Sequence, residues 1–304
     1  MSHTHAHDHG LAGRGTSALA FTLVLIGGYT IVEVVGGLLT DSLALLADAG
    51  HMLADVVAIA LALFAGWLAR KPATLQRSFG YRRAEILAAL ANGVALVAIS
   101  IWIFVEAGRR LSDPPHVLGG WMLAIAAVGL GINLAAAAIL RQHGGNLNVQ
   151  AAFRHVLADT LGSVGTVAAA IVIVTTGWRY ADPLVGAAIG LLVLASSWTI
   201  LRDSLRILLE EAPAGIDAAE VGRRMAAAEG VVEVHDLHIW TITSGFPALS
   251  AHVLVRRGDD CHARRRELEA LLVDEFGLEH TTLQVDHLGE HTGLQITPLP
   301  RERG

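Results

Sequence analysis

Six runs of apolar residues follow one another between residues 17 and 208: Ser17–Thr40, Ser42–Ala69, Ala84–Val105, Leu118–Leu140, Ala151–Thr176 and Pro183–Leu208. Each has the roughly 20 residues that carry a helix across about 30 Å of hydrocarbon. The breaks between them are short, polar and rich in Pro or Gly: Thr40-Asp41, Arg70-Lys71-Pro72, Ser112-Asp113-Pro114-Pro115, His143-Gly144-Gly145-Asn146 and Gly177 to Asp182. This is the pattern of six membrane spans joined by turns.

After Leu209 the pattern changes. Pro213-Ala214-Gly215 stops the last long helix, and Asp217 with Glu220 three residues on predicts a capped helix over Asp217–Glu229. Residues 231–242 and 249–255 are rich in Val, Ile and Leu with partial alternation, and Ser244-Gly245-Phe246-Pro247 between them predicts a hairpin loop. Asp260–Phe276 reads as a second helix closed by Gly277, and His280–Leu288 as a third strand. The order α-β-β-α-β predicts a small α/β sandwich of about 80 residues. That is marginal for a lone core, so contacts in an oligomer would help it. Three regions result: a His-rich, disordered tail over 1–14, a membrane domain over 15–208, and a polar domain over 209–304.

Composition agrees with the spans. The chain is 53% hydrophobic and only 16% charged, too apolar for an ordinary soluble protein. Its net charge of −6 gives no nucleic-acid signal. The N-terminus lacks the basic region of a cleaved signal peptide, so the first run reads as a retained anchor. With the N-terminus cytoplasmic, one side of the membrane receives Arg14, Arg70, Lys71, Arg77, Arg82, Arg83, Arg141, Arg154, Arg202 and Arg206. The other receives Arg109, Arg110 and Arg179. That bias predicts that both termini face the cytoplasm.

The candidate chemistry stands inside the spans. His51 and Asp55 lie four apart in the second, and His155 and Asp159 four apart in the fifth, so each pair shares a helix face. Ionisable residues in a bilayer cost about 2.5–3.5 kcal/mol on insertion scales, and two matching pairs point to function. Two imidazole nitrogens and two carboxylates suit a tetrahedral Zn²⁺ better than Mg²⁺ or Ca²⁺, which prefer oxygen shells. The bland reading makes each pair a polar contact between helices. Metal binding needs deprotonated ligands, so a site open alternately to each side would exchange metal for protons.

Asp48, three before His51, is either a carboxylate that orients an imidazole or part of a pathway. Glu33, Tyr29 and Asn133 are further polar groups in spans, with Tyr29 and Asn133 read as bonds between helices. The lone cysteine, Cys261, excludes a disulfide framework and a Cys-rich zinc site. His3, His5, His7 and His9, with Asp8, form either a loose metal-collecting tail or a plain polar terminus.

In the polar domain, His235 and His238 stand three apart on one strand, which places them on opposite faces. His252, His262, Gln284, Asp286 and His287 are spread over the other elements. Each alone reads as a surface histidine or polar group, and together they read as a second metal site.

These motifs resemble the cation diffusion facilitator family, the proton-coupled zinc exporters, over nearly the whole chain. The carriers are Ser42 to Asp55 in the second span, Ser78-Phe79-Gly80-Tyr81-Arg82-Arg83-Ala84-Glu85 before the third, and His155-Val156-Leu157-Ala158-Asp159 in the fifth. They continue with Ala181-Asp182-Pro183 before the sixth and Val234-His235-Asp236-Leu237-His238-Ile239-Trp240 in the tail domain. The resemblance implies a homodimer of six-span protomers, each with a cytoplasmic ferredoxin-like, metallochaperone-like α+β domain. It implies His51, Asp55, His155 and Asp159 as the transport site, in the His-containing form that goes with zinc. It also implies cytoplasmic metal ligands at His235, His252, His262 and Asp286, with Gln284 where some members have His. Residues 70–83 hold no His, Asp or Glu, so the further loop site of some members is not expected.

The sequence therefore predicts a polytopic α-helical protein of the cytoplasmic membrane. It would export Zn²⁺, with Cd²⁺ and Co²⁺ as alternative cargo, against inward proton flow. Zinc would also act as a regulatory ligand of the tail domain. Two rivals remain: a membrane-embedded zinc enzyme, against which stands the absence of His-Glu-x-x-His and of a vacant ligand position, and a membrane metal sensor that binds without flux.

Overall fold

A computed structural model describes residues 9–142 and 147–289, with side chains from Val24 onward except at 147, 148 and 151. The chain divides into two compact units. One holds the described chain up to Gly66 together with Leu87–Arg202, and the other holds Trp67–Ile86 with the described chain from Asp203. His3, His5, His7, Asp8 and His143 lie outside the described residues.

The long helices are α1 (His9–Thr40), α2 (Leu43–Ala69), α3 (Ala84–Ser112), α4 (Gly119–Gln142), α5 (Leu147–Thr176) and α6 (Ala181–Leu208). The last five are long and apolar enough to cross a membrane, and α1 adds the apolar stretch Val24–Thr40. Helix α1 begins at His9, eight residues before the apolar run, so residues 9–14 are helical rather than tail. Helix formation rests on local backbone hydrogen bonds and does not stop where hydrocarbon would.

In the first unit α2 is central. Ala44 and Leu45 pack with Met122, Ala126, Ala169 and Ile173 of α4 and α5. Ala47 and Ala54 pack with Leu96, Ile103, Ile189 and Val193 of α3 and α6. Small residues dominate these seams because, in lipid, helices associate by close packing rather than by escape from water. At Gly129 the ring of Tyr29 from α1 lies where a Cβ would be. Tyr29 uses that approach to donate a hydrogen bond to the carbonyl of Ile125, 2.8 Å away. Large apolar side chains such as Leu53, Leu63, Phe64 and Trp198 point outward and exposed, as a lipid-facing surface requires.

The second unit contains α7 (Ala218–Ala226), β1 (Val231–Thr243), β2 (Phe246–Val255), α8 (Cys261–Phe276) and β3 (His280–His287). The predicted α-β-β-α-β order is the observed one. The sheet runs β1-β2-β3, with β1/β2 antiparallel and β2/β3 parallel. Both helix starts are capped as expected: Asp217 accepts from the N–H of Ala219, and Asp260 from those of His262 and Ala263. Gly277 closes α8 in the left-handed region, at φ 66°. One face of the sheet and the two helices share a core of Val221, Met225, Ile239, Leu249, Val253, Leu268 and Leu272.

Strand β2 starts at Phe246, three residues earlier than its Val/Leu pattern predicts, and it includes Pro247. Strand β3 joins β2 only from Ala248 onward, so proline's missing N–H removes no bond of the β2/β3 ladder. A second difference lies in β1. Its register slips between His235 and His238, where Asp236 takes φ 55°. His235 pairs with His252 and His238 with Ser250, two residues apart on β2. The extra residue of this bulge resets the alternation, so the two histidines lie on the same face of the sheet rather than on opposite faces.

Candidate metal centre

Helices α2 and α5 bring the two predicted pairs together. His51 Nε2 lies 3.6 Å from Asp55 Oδ2 and 3.4 Å from Asp159 Oδ1. His155 Nε2 lies 3.2 Å from Asp55 Oδ2 and 3.7 Å from Asp159 Oδ2. The result is a closed ring in which imidazole and carboxylate alternate and each group faces two of the opposite kind. The imidazole rings stand edge to face with centroids 6.0 Å apart. Asp159 is buried, at 6% side-chain exposure, whereas His155 is at 50%, so the ring opens on the His155 side.

Ligand atoms about 2.0–2.1 Å from one tetrahedral ion stand about 3.3–3.4 Å from each other. The ring's four nitrogen-to-oxygen edges, 3.2 to 3.7 Å, straddle that spacing. Among the described residues no group of three or more His, Cys, Asp and Glu is placed to hold a metal ion as it stands. Among the described residues His51 Nδ1 is buried without a hydrogen-bond partner, so this imidazole lacks the second-atom anchor that metal-bound imidazoles usually have.

A second polar cluster lies beside the ring. Asp48, 3% exposed, turns to α5, where its Oδ2 accepts from the Ser163 hydroxyl at 3.4 Å. The Ser163 hydroxyl in turn accepts from Asn133 Nδ2 of α4 at 3.0 Å. Asp48 is thus bonded to a hydroxyl, not to an imidazole. Glu33 of α1 is 2% exposed, with Oε1 3.4 Å from the Tyr29 hydroxyl and Oε2 unpartnered. Tyr29 and Asn133 bond neighbouring helices, as their sequence positions suggested.

Sequence reasoning gave no role to the group that fixes α2. Asp182, at the start of α6 and fully buried, caps α2 from outside its own helix. Its carboxylate accepts from Ser42 Oγ at 2.6 Å, from Leu43 N at 2.7 Å and from Ala44 N at 3.1 Å. Arg110 of α3 approaches Asp182 at 3.7 Å and bonds the Asp41 carboxylate and carbonyl, at 2.8 and 2.6 Å. This is N-capping supplied across helices, and it holds α2 against α3 and α6. The Ala-Asp-Pro motif was visible in the chain, but its partner 140 residues away was not.

The candidates of the second unit are brought together in part. His235 and His252 pair across β1 and β2, with ring centroids 5.5 Å apart. Gln284 pairs with His252 in β3, and its amide donates to Asp286 Oδ2 at 2.8 Å. His262 begins α8, its backbone N–H bonded to Asp260. Among the described residues His235, His252, His262 and Asp286 do not form a metal-binding group of three or more. His287 instead lies against Cys261, with ring nitrogens 3.5 and 3.7 Å from Sγ.

Apolar helices around a ring of imidazoles and carboxylates, joined to a small α+β domain, define a multi-pass membrane transporter for cations. The chain belongs to the cation efflux family. The family's transmembrane domain matches residues 19–209 and its cytoplasmic domain matches residues 213–288. The chain is 42% identical to the "Cadmium, cobalt and zinc/H(+)-K(+) antiporter" of Bacillus velezensis, over 94% of this chain and 92% of that protein. It is 43% identical to the "Metal cation efflux system protein CzcD" of Cupriavidus metallidurans, over 94% and 90%. It is also 43% identical to the "Zinc transporter ZitB" of Escherichia coli, over 94% and 93%. A solved metal-bound C-terminal domain of the CzcD transporter is 38% identical, covering 23% of this chain and 99% of that one, with TM-score 0.23. The protein is therefore a metal cation efflux transporter, and the metalloenzyme rival falls away.

Proposed function

We propose that this protein exports Zn²⁺ from the cytoplasm in exchange for protons, with His51, Asp55, His155 and Asp159 as the transport site. Cd²⁺ and Co²⁺ are the alternative cargo. The observation that carries this reading is the alternating ring. It gathers two neutral-capable nitrogens and two carboxylates from two apolar helices, with nitrogen-to-oxygen separations of 3.2 to 3.7 Å. The names of the antiporter and zinc transporter relatives support the cargo and the proton coupling.

The chemistry of exchange follows from the donor set. Imidazole titrates near neutrality, so His51 and His155 would be neutral on zinc and protonated without it. The carboxylates would carry negative charge in both states, and the ring would then hold either a metal or protons, not both. The unpartnered His51 Nδ1 fits a site that must release its ion. Outer partners of metal-bound histidine raise affinity by about 10- to 100-fold, and this imidazole lacks one.

Domain 15–208 would carry the ion, in the cytoplasmic membrane, with both termini on the cytoplasmic side, as the basic-residue bias predicts. Domain 209–304 would dimerise and bind zinc as a regulatory ligand through His235, His252, Asp286 and His262. Because no three of these residues form a metal-binding group within the described part of one chain, they would assemble only through movement or with a second copy.

The test is zinc-driven proton movement in proteoliposomes carrying a trapped pH dye. Asp55→Ala and Asp159→Ala are expected to abolish it, and normal transport by either variant would remove the assignment. Zinc binding without any flux in the unaltered protein would favour the sensor reading instead.

A further inference from the structure

The second unit contains a cleft of about 510 Å³ with an unusual lining. Its charged lining residues are Arg70, Lys71 and Arg82, and among the described residues no carboxylate lines it. Its wall is aromatic: Phe79, Phe246 and His280, with His280 ring centroids 5.9 Å from Phe79 and 5.2 Å from Phe246. The guanidinium carbon of Arg82 lies over the Phe246 ring, 4.3 Å from its centroid. A guanidinium held at an aromatic ring keeps N–H donors that can serve an anion.

The position of the cleft says which anion it meets. Arg70 and Lys71 directly follow Ala69, the last residue of α2, so the cleft starts where the hydrocarbon of a span ends. One turn back, Trp67 is half exposed and stacks under the Lys71 ammonium at 4.3 Å. Tryptophan and cations at a span's end mark the headgroup level of a bilayer. Leu75, in the same loop, is fully exposed and Phe79 nearly half exposed. Orientation bias alone would explain loose cations on this side. It would not explain a guanidinium held over a ring of another element, or a basic cleft beside exposed apolar side chains.

We propose that this cleft binds the phosphate of an anionic membrane phospholipid, with Arg70, Lys71 and Arg82 as ligands and the exposed apolar side chains against the lipid's body. Basic pockets at the ends of spans recognise such headgroups through charge and hydrogen bonds. A bound headgroup would link the loop between α2 and α3, which supplies the three cations, to Phe246 and His280 of the sheet. The cleft would thereby make the arrangement of this unit depend on lipid.

The test is native mass spectrometry of the full-length protein with phosphatidylglycerol, phosphatidylcholine or inorganic phosphate. Phosphatidylglycerol is expected to bind the unaltered protein about tenfold or more tighter than phosphatidylcholine. The triple variant Arg70→Gln, Lys71→Gln, Arg82→Gln should lose that preference. The charge-conserving variant Arg70→Lys, Arg82→Lys should keep most of it. No preference in the unaltered protein would overturn the proposal, as would a triple variant that retains it. Equal loss in the charge-conserving variant would trace the effect to misfolding and also overturn it. Displacement of phosphatidylglycerol by an equal concentration of inorganic phosphate would assign the cleft to a free anion instead of a lipid.

Discussion

Ser42 donates its hydroxyl proton to Asp182 Oδ1 at 2.6 Å, tying the start of α2 to the start of α6. The same carboxylate takes the first two amides of α2, so one buried side chain fixes where that helix begins. His51 and Asp55 ride on α2, two to three turns further in. Any rotation of α2 about its axis would carry both off the ring. Asp182→Ala would take the buried acceptor from two amides and the Ser42 hydroxyl, while Arg110 would keep Asp41 and Glu106. Removing one partner of a buried charged network costs about 3–5 kcal/mol. The expected result is a lower unfolding midpoint in detergent together with at least a tenfold fall in zinc flux. Thermal unfolding and flux on the same preparation check it.

Asp48 is expected to be dispensable for metal binding. It stands one turn from His51 but bonds Ser163, and Asn keeps an oxygen that can accept the same hydrogen bond. Asp48→Asn should leave zinc affinity within about threefold by titration calorimetry, since a retained neutral hydrogen bond changes little. Asp159→Asn, which alters a ring member, should weaken it by at least tenfold. Equal losses in the two variants would make Asp48 part of the ligand set.

Much of this was legible in the chain, and the misses share one cause. The six apolar runs, the caps at Asp217 and Asp260 and the His-x-x-x-Asp pairs are local patterns, and local hydrogen bonding and helix periodicity determine them. The bulge at Asp236 is different. A residue at positive φ leaves no signature when it is Asp, which tolerates that region better than most residues. The alternation rule therefore put His235 and His238 on the wrong faces relative to each other. The Asp182 cap and the Tyr29–Gly129 approach are likewise products of tertiary packing. Their partners are far away in sequence, and no spacing announces them.

The Tyr29–Gly129 approach makes its own prediction. Gly129→Ala would place a methyl group within the volume of the Tyr29 ring. Inserting a methyl into a packed seam costs about 1–3 kcal/mol. The same change in a Tyr29→Ala background should cost far less, because the colliding ring is gone. Unfolding midpoints of the two single variants and the double variant form a cycle that reads this coupling. Additive effects would mean that α1 and α4 yield freely at this point, and the hydrogen bond to Ile125 would then not fix their distance.

The cap of α8 predicts an acid-sensitive helix. The Ala263 amide, opposed in part by burial, holds the Asp260 carboxyl below the usual carboxylate range, with the His262 amide adding to it. Glu275, at the other end of the helix, is lowered by its ion pair with Arg224. A carboxyl whose folded value lies below its unfolded one stabilises the fold above the unfolded value, about 4, and loses that contribution as pH falls through the folded value. The cytoplasmic domain should therefore be flat in stability across neutral pH and weaken in the window below about pH 4. Asp260→Asn keeps a capping oxygen but cannot titrate, so its stability should lose part of that dependence. Far-ultraviolet circular dichroism of both proteins between pH 7 and pH 2 tests this. An identical acid transition in the variant would locate the sensitivity elsewhere, with Arg224→Gln then separating the contribution of Glu275.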